Sequence, residues 1–541
     1  MIRSAWTALI LWFVTVPSTA APPQWIVVTA PAFRKAVEPL CQHRKKQGFH
    51  VVVVQTTDVL RADDLRAGDG SKLCEYVRKL LRQYKGSSSI LLVGAIEAGR
   101  LPDAETKVLP PLSGTVGRMK DQPSDCGYGC LDGGKLPTVA VGRFPAHSEE
   151  EARAMTAKTL EYEDTRHPGE WRRRLTILAG IPAYNPFVDR LVESLAMARL
   201  ARLSPMWSGR AIYSNPRSRF TLPDTLLHER AERYVREGQA FTLYLGHSNP
   251  AGLYGGGARR YLDRTDWSRL KIERGKGIFF TFGCNGCQLK GNDGEGYGVA
   301  AMRNAHGPAA VVGSHGICFA SMVQLAADGF FESTLARTLP ERLGDSWLAI
   351  LDGLARGKID DFTYRLLDTV DGDKNIPQAT QRREHLEMFV LLGDPALRLP
   401  RMASDFELGV EKSIAAGDKL AVRGTVPQRL SQARIRLTLE RTVDSRPTDL
   451  EAVPNASRTD DKAQDRILLA NHNRANRFVL VERETKVRDG SFQATIEVPS
   501  KLSWPRVLLR VHAANDSEEG MVVQPLEVKT KSTARQRGKQ P

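Results

Sequence analysis

Between residues 25 and 400 the chain repeatedly alternates short apolar segments with longer stretches of helical periodicity. The segments 25–29, 51–55, 89–93, 139–141, 175–178, 241–245, 278–282 and 309–312 are built mainly from Val, Ile, Leu, Ala and Phe, without the polar alternation of a half-exposed strand. Strands of this kind are buried on both faces. The intervening stretches 63–84, 149–162, 189–203, 224–237 and 296–304 carry the amphipathic pattern of helices able to cover them. The expectation is an α/β fold with a parallel-rich sheet flanked by helices, closing with the apolar run 388–392 and Gly393-Asp394-Pro395. Beyond residue 401 the texture changes: 419–422, 433–439, 478–481, 492–496 and 507–511 read as short strands uninterrupted by any amphipathic helix. A C-terminal all-β, immunoglobulin-like sandwich over 401–530 follows, with 444–476 as a long polar loop inside it.

A chain of 541 residues exceeds what one core usually supports. The pattern divides the α/β region into subdomains 22–170 and 171–400. Residues 1–21 read as an export signal: Arg3 is the positive start, 5–16 the short apolar centre, and Ser18-Thr19-Ala20 the small residues before cleavage. Neither that run nor any later one is long enough to span a bilayer, so the expected location is secreted, periplasmic or at the cell surface. The formal charge is +15, but Lys and Arg alternate with acids along most of the chain. No concentrated basic face marks a nucleic-acid partner, and the acid-free residues 531–541 read as a disordered basic tail.

The candidate chemistry sits at two strand ends. Phe241–Leu245 is followed by Gly246-His247, and 278–282 by Gly283-Cys284. Reactive groups in open α/β sheets gather at the carboxyl ends of strands. A thiol is largely protonated at neutral pH, whereas an adjacent imidazolium favours the thiolate and can later protonate a leaving amine. The amides of Ser248 and Cys284 are candidate oxyanion donors. An odd cysteine count, 7, also points to a thiol kept for chemistry. Cys41, Cys74 and Cys318 read as ordinary buried cysteines.

Several stretches resemble the gingipain-like cysteine peptidases (peptidase family C25), which have a caspase-like fold. These are Ser124-Asp125-Cys126-Gly127-Tyr128-Gly129 with LPTVAVGRF, then YLGHSN, FTFGCNGCQL, GPAAVVGSHG and LLGDPALRL, in that order across residues 25–400. The resemblance implies a peptidase acting on proteins or peptides through a thioester, with Cys284 as nucleophile and His247 as base. Cys287 is the rival nucleophile. No cofactor is implied for the chemistry; calcium is implied only as a structural ion. The family's preference for Arg or Lys, set by a pocket acid, makes Glu193 or Asp189 the candidate specificity residue.

Two departures stand out. Ser248 replaces the glycine that usually follows the histidine, and Ala179-Gly180-Ile181-Pro182 lacks the acid that orients it. Asn185 and Asp189 are the candidate substitutes, and a Cys–His dyad is the alternative. Three other readings remain open: a transpeptidase of the same family, a degenerate peptidase serving as a secreted binding protein, and a zinc or redox protein built on Cys284-Asn285-Gly286-Cys287 with Cys126 and Cys130. His315, Asp125, Tyr128 and Asp132 read as structural or pocket-lining residues.

Overall fold

The apolar segments assemble into one ten-stranded sheet. The computed structural model describes residues 21–529 apart from 98–102, 117–118, 135, 165–167, 258, 292, 336–338, 358–361, 374 and 454–460. The expected export signal (save residue 21) and basic tail therefore lie outside the described residues. In chain order the strands are β1 (Gln24–Thr29), β2 (His50–Gln55), β3 (Ser88–Val93), β4 (Ala140–Phe144), β5 (Arg174–Ala179), β6 (Ser208–Tyr213), β7 (Gln239–Leu245), β8 (Lys276–Phe282), β9 (Ala310–Ser314) and β10 (Phe389–Leu392). They lie side by side as β2-β1-β3-β4-β10-β9-β8-β7-β5-β6. All neighbours pair in parallel except β9 with β10. The sheet thus consists of two internally parallel blocks that point in opposite directions and meet at that antiparallel pair. Helices cover both faces, and the interior strands β1, β8 and β9 are almost wholly buried.

Two differences from the sequence reading have clear causes. Edge strand β6, SGRAIY, was not expected, because its Gly and Arg break the apolar run. Arg210 leaves the sheet there to stack on the Tyr234 ring at 4.3 Å. The expected helix over 63–84 is two helices, Ala62–Ala67 and Ser71–Gln83, because Gly68 adopts a left-handed conformation (φ 69°) that ends the first.

The C-terminal region contains a three-stranded and a five-stranded sheet around one apolar core that includes Val422, Leu437, Ile496 and Val511. Its expected long polar loop is corrected: it holds the helix Asp461–Asn476. Much of that helix docks through polar side chains, so its hydrophobic stripe is too thin to read from sequence. The Asn476 side chain accepts from the Ala211 amide (2.7 Å) and donates to its carbonyl (3.0 Å), pairing edge strand β6 as a neighbouring strand would. Buried His472 donates through Nδ1 to the Phe220 carbonyl (2.9 Å) and accepts from the Tyr234 hydroxyl (3.0 Å). Its burial holds it neutral, with a pKa pulled down to about 4.

Two buried ion-pair networks fasten the other block. Arg143 on β4 makes a bidentate pair with Asp125, both bonds 2.7 Å, and donates to the Gly94 and Leu109 carbonyls. Asp394, just after β10, accepts from Arg44 (Nη2, 2.7 Å; Nε, 3.0 Å), from Trp25 Nε1 (3.0 Å) and from the Ala396 amide (2.9 Å). The Gly-Asp-Pro motif is therefore a structural clasp between the last strand and the first. Asp394→Ala removes one of Arg44's two buried carboxylate partners, and the expected cost is about 3–5 kcal/mol. The check is the urea unfolding midpoint; a loss below about 1 kcal/mol would contradict this role.

Candidate active site

The in-register pairing of β5, β7 and β8 sets Ala179, Leu245 and Phe282 side by side at their carboxyl ends. The chain leaves each strand at a residue without a side chain: Gly180, Gly246 and Gly283. Gly246 has φ 152°, and an added Cβ would lie 2.9 Å from the Tyr244 hydroxyl. At Gly283 a Cβ would lie 2.4 Å from Ser248 Oγ and 2.7 Å from the Gly246 carbonyl. The Gly283 exit can lie this close to Gly246 only because Gly283 lacks a side chain. His247 is consequently exposed and Cys284 half-buried on the same cleft.

The loop after His247 is fixed from below. The buried Tyr244 hydroxyl contacts the His247 carbonyl and donates to that of Tyr254 at 2.9 Å. Ser248 Oγ donates to the Cys284 carbonyl at 2.7 Å, tying the histidine loop to the cysteine loop. The His247 ring lies with Nε2 2.9 Å from the Pro182 carbonyl. A carbonyl can only accept, so Nε2 is the donor and the neutral ring keeps its lone pair on Nδ1. The segment lacking an orienting carboxylate thus offers a main-chain oxygen in its place.

Of the candidate orienting residues, Asn185 caps the helix Pro186–Leu200 by accepting from the Phe187 and Val188 amides, both 3.0 Å. Asp189 is buried and takes a weak 3.4 Å contact from the Tyr184 amide. Glu193 lines the cleft and accepts from Ser218 Oγ at 2.7 Å. Two functional neighbours were missed by the sequence reading. The first is Asp371, at the end of the helix Phe362–Asp371; it faces the cleft and accepts from the Ala320 amide at 2.6 Å. Burial raises its pKa, while the Ala320 bond and the charge of His247 pull the other way. No local motif marks it, since a helix far along the chain delivers it. The second is Cys318, taken above for an ordinary buried cysteine. Its amide donates to Cys284 Sγ at 3.4 Å, and its thiol lies 3.8 Å from the Gly283 and Gly316 carbonyls.

The Cys284 pKa is pulled down to about 7. The Cys318 thiol is the largest cause, joined by the Cys318 amide and the charge of His247; burial and the Asp371 charge oppose them. Cys287 differs in every respect. It is fully buried against Gly298 and Gly313, and burial pushes its thiol well up. The C-x-x-C thus splits into one thiol in the cleft and one in the core. Cys130 Sγ lies 3.4 Å from the Cys126 carbonyl, and among the described residues no three His, Cys, Asp or Glu side chains converge as metal ligands would. His315 is buried away from the cleft, with a pKa pulled down to about 4 by burial.

The family model for peptidase family C25 matches residues 18–400. The chain belongs to that family. Among solved structures it is similar to the Arg-specific cysteine proteinase gingipain R, with 13% identity, 94% of this chain and 99% of that one covered, and a TM-score of 0.52. It is also similar to a complex of Porphyromonas gingivalis RgpB pro- and mature domains, with 15% identity, 94% and 100% coverage, and a TM-score of 0.50. At these identities the likeness is one of fold. Among curated proteins none matches the chain. Family and fold together make this a gingipain-like cysteine peptidase.

A thiol held near 7 has a simple signature. The rate of Cys284 alkylation by iodoacetamide, read by peptide mass mapping, is expected to rise with pH about a midpoint near 7. An ordinary thiol gives a midpoint at about 8.5, and finding that value would contradict the thiolate-favouring geometry.

Proposed function

We propose that this chain is an exported cysteine endopeptidase working through Cys284 and His247. Sγ attacks the scissile carbonyl carbon, and the tetrahedral intermediate collapses to a thioester as protonated His247 gives its proton to the leaving amine. His247 then takes a proton from water as the water attacks the thioester. The acid product leaves, and the proton returns the dyad to its starting state. The observation carrying this reading is that the cleft thiol, alone of the Cys284-Asn285-Gly286-Cys287 pair, is held toward its thiolate beside a histidine oriented by a carbonyl. The Ser248 and Cys284 amides are the proposed oxyanion donors, at loops joined by the Ser248 hydroxyl. Asp371 faces the same cleft from the end of the helix Phe362–Asp371.

The cleft holds about 340 Å³, with Tyr213, Phe220 and Met197 among the largely apolar residues lining it and the Glu193 carboxylate on its wall. An apolar slot with an acid suits a long aliphatic side chain carrying a cation. The similar gingipain R is described as Arg specific, and we extend a preference for Arg or Lys before the cleaved bond to this chain, with Glu193 as the acid.

Three variants test the machinery. Cys284→Ala and His247→Ala are expected to lower peptide cleavage by roughly 10³-fold or more, whereas Cys287→Ala retains it. If Cys287→Ala abolishes cleavage and Cys284→Ala does not, the nucleophile is misassigned. Glu193→Gln is expected to lower kcat/KM for an Arg substrate by roughly 10-fold or more while sparing one with Ala at the same position. Equal losses on both would remove Glu193 from the pocket. Acyl transfer to an added amine that exceeds hydrolysis would identify a transpeptidase.

A further inference from the structure

One wall of the cleft is held in place from the C-terminal region. Ala211, Tyr213 and Phe220 line that wall, and Glu193 stands with them. Beyond β6 the chain turns back to Phe220, and the turn is closed by its own main chain. The Ser218 amide donates to the Asn215 carbonyl (2.9 Å) and the Tyr213 amide to the Phe220 carbonyl (3.3 Å). Within the turn, buried Ser218 donates through Oγ to a Glu193 carboxylate oxygen at 2.7 Å and accepts from the Phe220 amide at 3.3 Å. The fully buried His472 anchors this turn from outside. Its Nε2 takes hydrogen bonds from the Tyr234 hydroxyl (3.0 Å) and the Asn476 side-chain amide (3.3 Å), so Nε2 is the acceptor nitrogen. The ring proton is then on Nδ1, which donates to the Phe220 carbonyl at 2.9 Å. The same region grips the rest of the wall: Asn476 pairs with the Ala211 main chain, and Arg510 donates to the Met206 carbonyl (2.7 Å) just before β6.

We infer that His472, a residue of the C-terminal region, is a positioning residue for the specificity pocket: its hydrogen bond to the Phe220 carbonyl fixes the turn through which Ser218 aims the Glu193 carboxylate. A glutamate free to rotate loses side-chain entropy when it meets a substrate cation. One already held by a hydroxyl loses less, and a hydrogen bond to a carboxylate is among the stronger ones. Ser218 can supply that bond only while its turn keeps its place. Phe220 is two residues beyond Ser218 and bonds it directly, so a shift at the Phe220 carbonyl is passed to the Ser218 hydroxyl. The reacting groups lie elsewhere, since Cys284 and His247 leave other strands and share no hydrogen bond with this turn among the described residues. Loosening it therefore weakens the binding of a cationic side chain and leaves the chemical step alone. On this account the C-terminal region is a working part of the substrate cleft.

This inference rests on the proposed reading of Glu193 as the pocket acid, and its test separates the two. The full chain and its His472→Leu, His472→Asn and Ser218→Ala variants are assayed on matched peptides with Arg or Ala before the cleaved bond. Thermal melting checks the fold, and the pH midpoint of Cys284 alkylation checks the nucleophile. His472→Leu, of similar bulk but without a donor, is expected to raise KM for the Arg peptide by roughly 3- to 10-fold. Its kcat, its Cys284 midpoint and its cleavage of the Ala peptide are expected to stay as they were. His472→Asn places an amide nitrogen where Nδ1 stood and is expected to recover most of the Arg preference. Ser218→Ala is expected to lose that preference as His472→Leu does, and the double variant to lose little more than either single one. An Arg-to-Ala ratio of kcat/KM left unchanged by His472→Leu, or fully additive losses in the double variant, would overturn the assignment. If His472→Leu does not fold, Ser218→Ala still decides, because an unchanged ratio there breaks the path from His472 to Glu193. Equal losses on both peptides in Glu193→Gln would instead sink the pocket reading, and this inference with it.

Discussion

Everything at the candidate site depends on the parallel register of β7, β8 and β9. Leu245 stands opposite Phe282, and Thr281 opposite Gly313. The histidine, the nucleophile and the second thiol therefore emerge at one edge of the sheet, on consecutive strands. A one-residue slip would turn every side chain to the opposite face. The apolar side chains of these strands, Phe279, Phe280, Val311 and Val312 among them, are buried and hold that register. The ion pairs of Arg143 and Asp394 act further off, fastening the block that points the other way.

The site itself is a balance of charge in a half-buried place. Burial and the Asp371 carboxylate work against a thiolate, while Cys318 and His247 work for it. The histidine is oriented by a main-chain carbonyl, which fixes its tautomer without adding negative charge next to the thiolate. Asp371 faces the same cleft and accepts a hydrogen bond from the Ala320 amide. In the proposed mechanism the Pro182 carbonyl takes the orienting role, with Asp371 on the same cleft.

Much of this was legible in the sequence because it is local. Unbroken apolar runs disclosed the buried strands, and Gly246-His247 and Gly283-Cys284 disclosed the strand exits. What escaped was non-local or masked by polarity. Cys318 looks inert until β9 is laid beside β8. Asp371 sits at the end of a helix with no motif. Edge strand β6 carries Arg210, and the helix Asp461–Asn476 binds the catalytic region through Asn476 and His472 where an apolar stripe would have announced it. Spacing alone also leaves Cys284 and Cys287 open as a pair, whereas in the fold their thiols face different environments.

The central claim is that Cys284 forms the covalent intermediate. The most direct measurement treats the full chain with a peptidyl chloromethyl ketone carrying Arg at the reactive end and locates the adduct by tandem mass spectrometry. The account predicts a thioether on Cys284, formed slowly or not at all when His247 is replaced by Ala. An adduct on Cys287 or Cys318, or modification of Cys284 that is indifferent to His247, would contradict it.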